Sequence, residues 1–82
     1  MELVELTEQI VKSLVTDEDS VSVKEFPTEE ENVILIQVMV DDEDMGRVIG
    51  REGRTANAVR TLVQASSALS DNKYVKIDID KF

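Results

Sequence analysis

Residues 46–63 read GRVIGREGRTANAVRTLV. Two glycines, Gly50 and Gly53, bracket a charged pair, Arg51 and Glu52, and helix-forming sequence stands on either side. Glycine permits a sharp turn and lets another backbone approach with no Cβ in the way. A helix that starts just after Gly53 points its free amide groups, and the positive end of its dipole, out of that turn, where a phosphate fits. Arg51 and Arg54 flank the place and add charge, and Arg47 precedes it. The stretch reads as helix, glycine loop, helix: a cradle for a sugar–phosphate backbone built mostly from main chain.

The charge distribution agrees locally and disagrees globally. The 82-residue chain carries a formal net charge of −9, whereas a nucleic-acid binder is usually basic. All four arginines (Arg47, Arg51, Arg54, Arg60) fall between residues 46 and 60 with one acid, Glu52, a local net charge of +3. The five lysines and 17 acids elsewhere leave −12. That pattern excludes a non-specific polyanion binder and leaves one small basic site. Arg60, two turns into the second helix, is the arginine most apt to pair with an acid instead.

Working outward from the loop, DDEDMGRVI predicts a short helix over about 42–49, capped by its aspartates and ended by Gly50. The helix after Gly53 runs to about residue 69, where SDN stops it. Its apolar positions are Ala56, Val59, Leu62, Val63, Ser66 and Leu69, with Ala58 and Ala65 beside them. Upstream, VILIQVMV (33–40) is nearly all apolar and rich in β-branched residues, a strand covered on both faces or central in its sheet. SVSVKEF alternates Val21 and Val23 with polar residues, a half-buried strand, and PTEEEN is a solvated turn. Residues 3–15 repeat Leu3, Leu6, Ile10, Val11 and Leu14 on one helical face. KYVKIDIDK alternates Val75, Ile77 and Ile79 inward, a last strand. The order is α-β-β-α-α-β, an α+β domain with three strands spanning residues 1–82.

VIGREG followed by a helix resembles the signature of KH domains, whose GxxG loop clamps about four nucleotides of backbone while the bases lie on an apolar floor. The element order is that of the type II KH fold, a three-stranded sheet covered by helices, and the short acidic chain is similar to the KhpA-like bacterial family. The resemblance covers essentially the whole chain, with its specific motif in residues 46–63. It implies a single-stranded RNA binder, DNA not excluded, proposed in that family to act as an RNA chaperone linked to cell elongation, division and peptidoglycan homeostasis. It also implies self-association or pairing with a KhpB (Jag-type) protein. Carried onto this chain, Gly50, Arg51, Glu52 and Gly53 form the clamp, with Arg47 and Arg54 adding charge, and Val48 and Ile49 help form the floor. Two departures stand out: Glu52 places an acid beside a phosphate, and Ala56 replaces a larger apolar residue, making the floor shallower. The rival reading is a KH-fold dimerisation module whose nucleic-acid groove has lapsed.

On the second helix, Ala56, Val59, Val63 and Ser66 supply one stripe to cover the sheet. Ala58, Leu62, Ala65 and Leu69 form a second, which predicts a partner interface at Leu62, Ala58 and Leu69. With no Cys and no His there is no zinc-finger site, thiol nucleophile or Ser-His triad, and no convergent acid, base and nucleophile marks an enzyme. No cofactor or metal is expected. Taking Asp41 as the first position of a calcium loop puts Gly46 and Glu52 in register, but Met45 and Ile49 fall where ligands belong. The glycine spacing fits neither a dinucleotide-binding fingerprint nor a P-loop. No apolar run reaches the ~20 residues of a membrane span, and the acidic N-terminus lacks a secretory signal, which favours the cytoplasm.

Overall fold

The computed structural model describes residues 2–70 and 72–82; Met1 and Asp71, the middle residue of the SDN stop, lie outside them. Six main elements follow in the expected order: α1 (Leu3–Lys12), β1 (Ser22–Pro27), β2 (Val33–Val40), α2 (Met45–Ile49), α3 (Arg54–Leu69) and β3 (Tyr74–Lys81). β2 is the central strand, antiparallel to β1 and parallel to β3. A parallel neighbour cannot be reached by a tight turn, so the chain crosses over through α2, the loop and α3.

The expectation that β2 is either central or covered on both faces resolves to the first. Ile34, Ile36, Val38 and Val40 point into the core, while Leu35, Gln37 and Met39 are half-buried on the other face. All three helices lie on the inner face, where Leu3 and Val11 of α1, Val48 of α2, and Val59 and Val63 of α3 meet Val23, Val75 and Ile77 of the sheet. Each such fully buried Val or Ile contributes roughly 1.5–3 kcal/mol relative to exposure. The outer face stays open and carries Lys24, Phe26 and Lys76.

Local chemistry explains most of the boundaries. The Glu2 carboxylate caps α1 by accepting from the Val4 and Glu5 amides at 2.9 and 3.1 Å. α1 stops at Lys12 rather than residue 15, and Leu6, Ile10 and Leu14 are half-buried at the core's margin. α3 buries Ala56, Val59, Val63 and Ser67. Ser67, not Ser66, is the inward serine: its hydroxyl donates to the Lys73 carbonyl at 2.8 Å and accepts from the Lys73 amide at 3.2 Å. Gln64 adds two bonds to the same strand start, donating to the Lys73 carbonyl and accepting from the Val75 amide, both at 2.9 Å. These side chains fasten α3 to the outer edge of β3 and occupy edge groups that another strand would otherwise seek.

Candidate nucleic-acid interface

The loop is formed by three residues with positive φ. Gly50 ends α2 with its amide bonded to the Gly46 carbonyl at 2.9 Å and turns the chain at φ 76°, ψ 177°, a region open almost only to glycine. Arg51–Gly53 then make a single 3₁₀ turn in which Glu52 (φ 56°, ψ 26°) and Gly53 (φ 75°, ψ 10°) are left-handed. A Cβ on Gly50 would lie 2.2 Å from the Thr55 hydroxyl and 2.9 Å from the Thr55 amide nitrogen. One on Gly53 would meet nothing within 4 Å. The first glycine is thus needed for a close approach to α3, the second for its dihedral alone.

α3 begins at Arg54 with Gly53 as N-cap and no side chain bonded to its first amides. Those donors and the positive dipole end face the loop. Arg47, Arg51 and Arg54 are exposed around it. Glu52 faces the same solvent, with a carboxylate oxygen 3.7 Å from the Arg54 guanidinium. Both side chains are more than 70% exposed, so this pair is worth little and an incoming phosphate can displace the carboxylate.

The apolar floor is narrower than its sequence implies. Val48 is 0% exposed and belongs to the core, so it supports the loop from beneath and cannot touch a base. Only Ile49 of the pair is partly accessible. Residues i and i+1 of a helix point in different directions, so the two cannot share a surface. Ala56, read as floor, is also buried, at 1%. Arg60 does not pair with an acid. Its guanidinium donates to the Asn57 side-chain carbonyl at 3.2 Å and, more weakly, to the Ile77 carbonyl at 3.4 Å. That leaves Arg47, Arg51 and Arg54 as the exposed cations of the loop.

Asp44 has a role that its position in an acid run concealed. Read as part of a helix cap, it makes no capping bond to α2. Its carboxylate is 1% exposed and accepts from the Thr16 amide (3.0 Å), the Thr16 hydroxyl (2.8 Å) and the Asp17 amide (3.2 Å), with the Arg47 guanidinium 3.7 Å away. It ties the segment after α1 to the start of α2, and so sets where the loop begins. The Thr16 amide bond, then the Thr16 hydroxyl, the Asp17 amide and Arg47, outweigh burial and hold its pKa below the ordinary 3.8. A depressed pKa contributes stability that is complete above the unfolded value and lost as pH falls through the folded one. We expect Asp44→Asn to lower the urea midpoint at pH 7, and the gap from the wild type to close as pH drops below about 4. A gap independent of pH would contradict this role. Among the described residues, no group of three or more acidic side chains is placed to hold a metal ion.

The family model described as "KhpA/KhpB, KH domain" matches residues 4–79. The chain is 47% identical over 75 residues to "RNA-binding protein KhpA" of Clostridium perfringens, covering 92% of this chain and 96% of that one. It is 44% identical over 75 residues to the protein of the same name from Clostridium acetobutylicum, again covering 92% and 96%. Among solved structures, Aquifex aeolicus Era bound to GDP.AlF4- aligns at TM-score 0.70 and 18% identity over 98% of this chain. Era in complex with MgGDPNP and nucleotides 1506-1542 of 16S ribosomal RNA aligns at TM-score 0.66 and 18% identity over 96% of this chain. At that identity the likeness concerns the fold alone, and this chain spans 30% and 29% of those two chains. The α-β-β-α-α-β order with a mixed three-stranded sheet is the type II KH arrangement, and the chain belongs to the KhpA/KhpB family of KH-domain proteins.

Proposed function

We propose that this protein binds single-stranded RNA by gripping the sugar–phosphate backbone at residues 50–53, with Arg47, Arg51 and Arg54 supplying charge and Ile49 an apolar edge. The observation that carries the reading is the uncapped start of α3, opening directly onto a glycine loop that holds the chain's exposed arginines. The relatives named as RNA-binding proteins support it. The role is binding rather than catalysis: an RNA chaperone or post-transcriptional regulator, acting in the cytoplasm and contributing to cell elongation, division and peptidoglycan homeostasis. The protein self-associates or pairs with a KhpB-type protein through Ala58, Leu62 and Leu69, which lie exposed on α3. That exposed stripe also favours a second reading, a pairing module whose groove no longer binds nucleic acid, with Glu52 occupying Arg54.

Salt dependence separates the two. A short RNA on one loop has about two or three of its phosphates neutralised, and at ~0.7 per phosphate for single strands log K falls against log salt with a slope of roughly −1.5 to −2. Anisotropy titrations of a labelled RNA of about six nucleotides from 50 to 300 mM salt measure this, with micromolar or weaker affinity expected. No binding at low salt would favour the pairing module. A slope steeper than about −4 would require a larger basic surface than this loop.

A further inference from the structure

α3 is apolar on two sides and covered on one. Ala56, Val59, Val63 and Ser67 pack inward. Ala58, Leu62, Ala65 and Leu69, at helical spacing on another side, are all exposed, Leu62 at 56% and Leu69 at 91%. Along the chain this stripe alternates small and large: Ala, Leu, Ala, Leu. Its midpoint falls between residues 63 and 64. Against a second copy running the opposite way, Leu62 lies opposite Ala65 and Leu69 opposite Ala58, so every large side chain meets a small one. A parallel copy would set Leu on Leu and Ala on Ala, clashing and gapping in turn at one interaxial distance. Charge selects the same direction. Parallel helices would bring two arginine-rich N-terminal ends together, whereas antiparallel ones place each beside the negative dipole end of its neighbour. Ala65 and Ala68 also wall a surface hollow of about 460 Å³, bounded by Thr61, Gln64 and Tyr74, that leaves room for the partner's Leu62.

We propose that two copies pair through antiparallel α3 helices and that the pair clamps one RNA strand at two segments, one on each loop. This rests on reading residues 50–53 as the RNA clamp. A two-fold axis normal to the helix pair keeps both loops on the same face of the dimer. At 1.5 Å per residue, the two Gly53 positions lie about 32 Å apart along the pair. Each loop holds about four nucleotides, and stacked nucleotides advance about 3.4 Å, so roughly nine nucleotides bridge the loops. An RNA of about eight nucleotides reaches one loop, and one of sixteen or more reaches both. The second contact is then intramolecular, at an effective concentration in the millimolar range.

The test is a length series of unstructured RNA, from about 6 to 24 nucleotides, titrated against wild type and Leu62→Lys, with light scattering for mass. The wild type should be a dimer whose affinity steps up at least tenfold, toward a hundredfold, between about 8 and 16 nucleotides. Leu62→Lys should be a folded monomer with the wild-type affinity for the shortest RNA and no step. The swap Leu62→Ala/Ala65→Leu restores a Leu opposite an Ala only in the antiparallel register. It should recover the dimer and the step that Leu62→Ala or Ala65→Leu alone loses, and it keeps the test valid if Leu62→Lys unfolds. A monomeric wild type, or a swap that fails to rescue, overturns the pairing. A dimer that binds RNA with no length step overturns the two-site clamp while leaving the single-loop reading intact. A dimer that binds RNA of no length overturns both.

Discussion

Gly50→Ala is expected to lower the thermal midpoint by about 10–25 °C, and Gly53→Ala by about 4–12 °C, although both glycines sit in one loop. At Gly50 two costs combine. Its φ of 76° with ψ of 177° is strained for any L side chain, at about 1–3 kcal/mol, and the new Cβ would lie 2.2 Å from the Thr55 hydroxyl, costing about as much again. Thr55 is in the first turn of α3, so relieving the clash means moving the helix. At Gly53 the space is open and only the left-handed dihedral counts, at about 1–2 kcal/mol. An 82-residue domain has about 4–12 kcal/mol in total, so the first substitution removes a large part of it. Melting curves followed by circular dichroism decide the point: equal shifts for the two variants would mean that the Gly50–Thr55 approach does not constrain the fold.

Arg51→Asp combined with Glu52→Asp is expected to lose at least tenfold in RNA affinity while melting like the wild type. Both side chains are exposed, and aspartate tolerates the left-handed conformation that Glu52 adopts at φ 56°, so the fold has no reason to respond. The charge at the loop drops by two. Each unit charge about 6 Å from a phosphate is worth about 0.7 kcal/mol even at the dielectric constant of water, so two account for about tenfold as a lower bound. Lower local dielectric and the lost arginine contact enlarge it. Unchanged affinity with an unchanged melt would remove this loop from the binding site.

The elements themselves were legible in the sequence because each had a local cause. VILIQVMV could hardly be anything but an interior strand, and β2 occupies those eight residues. The helix after Gly53 ends at Leu69 as its periodicity requires. What escaped was decided by contacts distant in sequence. Asp44 sits in a run of four acids that reads as a helix cap, and its partners lie 27 and 28 residues earlier. No periodicity marks Thr55 as the neighbour that Gly50 must accommodate. Val48 and Ile49 are equally apolar, and only the rotation of α2 against the sheet decides that Val48 turns inward. Ser66 and Ser67 are chemically identical, and the Lys73 backbone selects the second. The family motif located the loop, but which side chains around it face solvent depended on tertiary packing.

The most direct test that the loop is the RNA site is a nitrogen-15 amide titration with an unstructured RNA of about eight nucleotides. The largest shift changes should fall on Ile49 through Ala56, centred on the Gly50, Arg51 and Gly53 amides and the first turn of α3, with the open face of the sheet silent. Changes confined to that open face, at Lys24, Phe26, Gln37 and Lys76, with the loop amides unmoved, would contradict the assignment.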